Sequence, residues 1–119
     1  MGNFNQLIVW QKSVDFAVRI HRETKRFPDD EVFGLRLQLR RAAVSIASNL
    51  AEGQGRRTTD DYRRFVVLAR GSAFEIQTQV LIAERVRYFD PKVAKQLREA
   101  IDEIARMLNG LIAYLAPKA

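Results

Sequence analysis

The twenty residues from Arg36 to Gly55, RLQLRRAAVSIASNLAEGQG, carry the reading that decides the fold. Leu39, Ala42, Ile46 and Leu50, with Leu35 just ahead of them, recur at spacings of three and four. That places them on one face of an α-helix. Arg41, Ser45, Ser48 and Glu52 follow offsets of four, three and four, so they share a second face, with Gln38 and Asn49 alongside. Gly53-Gln54-Gly55 is a stop signal. Asp29-Asp30-Glu31 supplies acids suited to a helix N-terminus. Together these signals predict a helix over about 30–54.

Working outward, three proline or glycine punctuation points divide the chain into four apolar-periodic segments. The first covers about 9–26 and stops before Phe27-Pro28. Trp10, Val14, Ala17, His21 and Thr24 fall on one expected face, with Phe16 and Ile20 beside them. The third segment opens at Thr58, where Thr58-x-x-Asp61 resembles a capping box, and runs over about 59–89. Asp90-Pro91 then offers an N-cap and a proline at the first helical position of a fourth helix, about 91–116. Leu97, Ile101, Ile104, Leu108, Leu111 and Leu115 alternate spacings of four and three, the pattern of a bundle seam. No segment alternates like a strand. The expected fold is all-α: a single domain over 1–119 forming an antiparallel up-and-down four-helix bundle.

The third segment carries more apolar surface than one core uses. Tyr62, Phe65, Val66, Ala69, Ala73, Ile76, Val80 and Ala83 make the expected inner face. Val67, Phe74, Leu81 and Tyr88 recur every seven residues on a flank, and Leu68, Ile82, Val86 and Phe89 widen it. A helix that is apolar nearly all round is buried on more than one side. In so small a chain a second copy is the natural cover, so Val67, Phe74, Leu81 and Tyr88 are expected at a homo-oligomer interface.

Composition bounds the chemistry. The 119 residues contain no cysteine, which excludes disulfides and thiolate metal sites. The opening MGNFNQ has no basic-then-apolar signal pattern. The charge-free run from Met107 to Pro117 is half the roughly twenty residues that span a bilayer. A soluble cytoplasmic protein that binds no membrane is expected. The formal charge is +6, and arginine outnumbers lysine by fifteen to five, which favours anionic partners or simply a solvated surface.

Enzymatic constellations find little material. His21 is the one histidine and falls on the expected apolar face of the first helix, as a core imidazole would. The residue three before it is Val18, so the Glu-x-x-His pairing of diiron bundles is missing. No Ser/His/Asp or Cys/His arrangement forms except through His21, and Gly53-Gln54-Gly55 lacks the Gly-Lys-Ser/Thr of a phosphate-binding loop. No catalysis, cofactor or metal is expected.

Two polar features remain. On the second helix Arg41, Ser45, Asn49 and Glu52 form a stripe, matched on the third by Ser72, Glu75 and Gln79. A ligand groove and a hydrogen-bonded network that fixes helix register are both open. Small Ser and Asn side chains suit the network, with Arg41 or its neighbours pairing Glu75 or Glu52. The second feature is the hinge after Gly55. Arg56 and Arg57 lie in the loop, and Arg63 and Arg64 just inside the next helix, where they oppose the helix dipole that Asp60 and Asp61 only partly restore. A phosphate there gains both guanidinium groups and free amides. Arg36 and Arg40, one turn apart, extend the basic surface. The same arginines also read as a solvated corner.

Trp10-Gln11-Lys12, Phe27-Pro28, Gln38-Leu39-Arg40-Arg41-Ala42-Ala43-Val44-Ser45-Ile46, Ser48-Asn49-Leu50-Ala51-Glu52-Gly53 and Gly71-Ser72, taken in order, resemble the 23S ribosomal RNA intervening-sequence protein family. The resemblance runs from about Leu7 to the end of the fourth helix. Some members are encoded inside insertions in large-subunit ribosomal RNA genes, and that setting gives the family its name. The family is similar in fold to accessory proteins of diversity-generating retroelements, basic barrel-like pentamers that engage nucleic acid and a reverse transcriptase. The resemblance implies a homopentameric ring and no catalytic residues. It carries Arg41, Ser45, Asn49, Glu52, Gly53 and Ser72 over as motif positions. Two functions follow as expectations: a basic oligomer that binds RNA or DNA through phosphates, or a scaffold for a protein partner.

Overall fold

Antiparallel pairing of four helices organises the chain. The computed structural model describes residues 7–31 and 34–117. They form α1 (Ile8–Glu23), a 3₁₀ turn (Thr24–Arg26), α2 (Leu35–Gln54), α3 (Thr59–Arg85) and α4 (Pro91–Tyr114), with no strand among the described residues. Each helix packs on its neighbour in the chain, and α4 closes on α1. Contacts across the seams run in opposite order: Lys12 meets Glu103 while Arg19 meets Gln96, and Arg70 meets Asn109 while Gln77 meets Asp102. The result is a rod of 49 × 22 × 20 Å.

The apolar stripes predicted for α2, α3 and α4 meet in this rod. Leu39, Ile46, Leu50, Val66, Ile76, Val80, Leu97, Ile101 and Leu108 are fully buried. Ala42, Ala43, Ala69, Ala73 and Ala83 are buried between them and let the backbones of α2 and α3 approach closely. Gly53 marks the tightest approach. A β-carbon there would lie 2.8 Å from the Tyr62 ring and 3.0 Å from the Phe65 β-carbon, so only hydrogen fits.

The first helix corrects the expected face. Its buried stripe is Val9, Ser13, Phe16, Ile20 and Thr24; Trp10, Val14 and Ala17 sit at the margin, and His21 is exposed rather than in the core. The cause is chemical. The Ser13 hydroxyl donates to the Val9 carbonyl at 2.6 Å, and the Thr24 hydroxyl to the Ile20 carbonyl at 2.7 Å. Each thereby satisfies its own polarity and occupies the core as a small side chain.

Helix ends also shift. α2 starts at Leu35, five residues later than expected, because Gly34 takes a left-handed φ of 65° as its N-cap. Glu31 still serves that terminus by accepting a hydrogen bond from the Leu35 amide at 2.8 Å. α3 stops at Arg85 rather than Phe89. Arg87 is left-handed with φ 66°, and the amides of Arg87 and Tyr88 bond back to the carbonyls of Glu84 and Ala83. This reversal turns Tyr88 and Phe89 inward, where their rings lie 5.1 and 5.0 Å from that of Phe27. α1 gives way to the 3₁₀ turn at Thr24, and α4 ends at Tyr114 instead of residue 116. Thr58 caps α3 as its sequence suggests, accepting from the Asp61 amide at 3.1 Å.

Candidate functional site

The arginines expected to bind phosphate have mostly found acceptors within the chain. Arg36 donates to the carbonyls of Thr24 (3.0 Å) and Phe27, and Arg40 donates to the Thr24 hydroxyl (2.9 Å) and the His21 carbonyl (3.0 Å). Those carbonyls lie at the end of α1 and in its 3₁₀ turn, where local donors are few: the Phe27 amide reaches the Thr24 carbonyl and the Thr24 hydroxyl the His21 carbonyl. Two guanidinium groups of α2 therefore cap α1, with the sign that its C-terminal dipole favours. His21 feels the same charges. The nearby Arg40 guanidinium, then partial desolvation, then Lys25, hold its imidazole below the ordinary value of 6.5.

At the hinge, Arg56 pairs with Glu52 at 2.7 Å and approaches Asp61 at 3.9 Å. Arg64 pairs with Asp61 at 2.8 Å, and Arg56 and Arg64 each lie 4.6 Å from the centre of the Phe65 ring. Arg63 donates to the Ile112 carbonyl at 3.1 Å and ties α3 to α4. Arg57 stays exposed and forms no ion pair or hydrogen bond among the described residues. Four arginines face three acids across 52–64, so the corner's charge is largely compensated.

The polar stripe divides along its length. Ser45, Asn49 and Ser72 form a network across the α2–α3 seam. The Ser72 hydroxyl donates to the Ser45 hydroxyl at 3.0 Å, and the Asn49 amide donates to the Ser45 carbonyl and hydroxyl at 2.9 and 3.0 Å. Arg41 and Glu75 are outside this network. Both are exposed without a partner among the described residues, and Glu52 pairs with Arg56 instead of Arg41. Towards the start of α2 the seam opens into a groove of about 570 Å³ lined by Leu35, Gln38, Glu75, Thr78, Gln79 and Ile82. Gln79 is buried there, and its Oε1 has no hydrogen-bond partner among the described residues.

The outer flank of α3 is apolar and largely open. Phe74 and Leu81 retain 49% and 40% exposure, and Leu68, Ile82 and Val86 are exposed beside them. Val67 is half-buried against the core, and Tyr88 is half-buried on Phe27 within its own chain. Phe89, expected on this flank, belongs to the core. Two features escape the sequence patterns. One is a hollow of about 590 Å³ at the far end of the rod, whose lining includes Gln54, Tyr62 and Tyr114. The other is a set of exposed cations around the opposite end: Arg22, Lys25, Arg26, Arg85, Arg87 and Lys92. Charge periodicity marked neither, because their parts come from separate helices.

Among the described residues no group of three or more His, Asp or Glu side chains gathers as metal ligands, and no helix is long and apolar enough to cross a membrane. No curated protein matches the chain. A crystal structure of a protein of unknown function from the S23 ribosomal protein family of Bacteroides thetaiotaomicron is similar in fold, with a TM-score of 0.82 and 24% identity. The match covers 88% of this chain and 98% of that one. The family model described as 23S rRNA-intervening sequence protein matches residues 5–110, so the chain belongs to that family.

Proposed function

We propose that this protein is a non-enzymatic bundle that works as an assembly, with copies joined over the outer flank of α3. The open apolar row of Phe74, Leu81, Leu68 and Ile82 carries the reading, because the opposite face of the same helix is already buried. Covering such a row removes apolar area from water at about 25 cal/mol per Å². A closed ring of copies, five being the expected number from the family resemblance, leaves no such row uncovered. The lone imidazole, exposed beside Arg40, has no acid–base role in this reading.

Light scattering tests it. Wild type should run as a defined oligomer at micromolar concentration. Phe74→Glu should run as a monomer with its helical spectrum intact, since the change would bury an unpaired charge in the contact. A monomeric wild type would overturn the assembly.

A second reading, contact with RNA or DNA through phosphates, draws on the net charge of +6 and on exposed Arg57, which has no partner among the described residues. Retention of unrelated nucleic acids that weakens with salt supports it. Co-purification of one protein in fixed ratio, with no such retention, gives the scaffold reading instead.

A further inference from the structure

We propose that a phosphate backbone is held at the end of the rod where α1 turns into α2 and α3 turns into α4, by Lys25, Arg26, Arg85, Arg87 and Lys92. This site rests on the nucleic-acid reading and moves it away from the Arg56–Arg57 corner.

The fold creates the site by bringing together two segments about sixty residues apart. Phe27 is buried between Tyr88 and Phe89, with ring centres 5.1 and 5.0 Å away. That cluster fastens the 3₁₀ turn, which carries Lys25 and Arg26, against the turn after α3, which carries Arg87. Lys25, Arg26, Arg85, Arg87 and Lys92 are exposed, and none makes an ion pair or hydrogen bond among the described residues. Arg56, Arg63 and Arg64 at the other corner are already engaged.

Charge bookkeeping agrees. Segments 21–40 and 84–98 hold ten cations against six acids, whereas 52–64 holds four against three. Asp29, Asp30 and Asp90 are exposed at the same end and reduce the field without reversing it. The depressed basicity of exposed His21, caused first by Arg40, then by desolvation and Lys25, reports the same positive surroundings. Arg87 adds a conformational observation. It occupies a left-handed position, φ 66°, that a helix C-terminus ordinarily gives to glycine. A guanidinium is thus presented from a backbone that disfavours any side chain.

The occupant follows from what the surface lacks as well as what it offers. Phe27 and Phe89 are buried, so neither presents a face for base stacking. Exposed cations at the turns of a rod meet phosphates first, so contact is expected to vary little with sequence.

Fluorescence anisotropy with a labelled duplex DNA and a single-stranded RNA of unrelated sequence, over a series of salt concentrations, tests the assignment. Wild type should bind both, less tightly as salt rises. Arg26→Glu with Arg87→Glu should weaken both at least tenfold at low salt and reduce the log–log salt slope by about 1.4–1.8 per engaged protomer. Arg56→Glu with Arg57→Glu should have the smaller effect. Arg87→Gly separates charge from folding: it suits the left-handed backbone, so it should raise the melting temperature while still weakening binding. A larger loss in the Arg56/Arg57 variant would overturn this site and leave nucleic-acid binding standing. Wild type that binds neither probe at low salt would overturn both.

Discussion

Along the α1–α4 seam, Lys12 meets Glu103 at 2.8 Å and Arg19 reaches Gln96, so long charged and polar side chains bridge the outer surface. Along the α2–α3 seam the bridges join uncharged groups: Ser72 to Ser45 at 3.0 Å and Gln54 to Tyr62 at 2.8 Å. Leu37, Val44, Phe74 and Ile82 lie exposed on those two helices, and Arg41 and Glu75 beside them have no partner among the described residues. α1 and α4 also expose Ile8, Val18 and Tyr114, but the polar groups that meet at their seam are paired. The second seam holds its helices close and leaves its rim polar needs and apolar area unmet, as a surface does when something further packs on it.

The sharpest way to break this contrast is at Gly53. Gly53→Ala should destabilise the bundle by about 1–3 kcal/mol, because the added methyl meets Tyr62 and Phe65. Gly110→Ala on α4, where a β-carbon meets nothing within 4 Å, should instead stabilise by about 0.5–1 kcal/mol. Urea unfolding of both variants checks the pair. Equal effects would mean that α2 and α3 are no closer than other helices.

An intermediate effect belongs to the α1–α2 corner. Arg40→Ala removes donors from Thr24 and the His21 carbonyl and should cost about 1–2 kcal/mol. It should also raise the His21 pKa, which an NMR titration reads directly. In wild type the native imidazole holds its proton less tightly than the unfolded one. Stability should therefore rise with pH through the interval below about 6.5 and flatten above it, and Arg40→Ala should shrink that rise.

The smallest effect is expected at Lys12, whose pairing holds the Glu103 carboxyl below the usual glutamate range. A depressed carboxyl contributes stability above its unfolded pKa and loses it as pH falls through the folded value. The melting-temperature gap between wild type and Lys12→Ala should thus be slight at neutral pH and close in acid. A gap that persists at pH 2 would show that the lysine stem, not its charge, holds the seam.

The helices and most of the core were legible because leucine, isoleucine and alanine at three-and-four spacing leave few alternatives to burial. Ser13 defeated the same logic, since a hydroxyl bonded one turn back behaves as a core residue, and His21, placed on the apolar face by its spacing, is exposed. Arg87 defeated the placement of the end of α3, because nothing in an arginine announces a left-handed backbone. The arginines taught the most. A sequence displays donors but not their acceptors, and Arg36 and Arg40 spend theirs on oxygens of His21, Thr24 and Phe27, at the end of α1 and its 3₁₀ turn, nine to nineteen positions earlier. Arg41 shows the converse: it or its neighbours are expected to pair with Glu75 or Glu52, and it finds no partner among the described residues.

Phe27 has one more consequence, for the time course of folding. The α1–α2 and α3–α4 hairpins each close over short stretches of chain, so each can form early. The Phe27 contacts with Tyr88 and Phe89 join the hairpins across about sixty residues and can form only when the two have met. An interaction completed that late acts mainly on the rate of escape from the native state. The lifetime of the folded rod, more than the speed of reaching it, depends on three rings at one end.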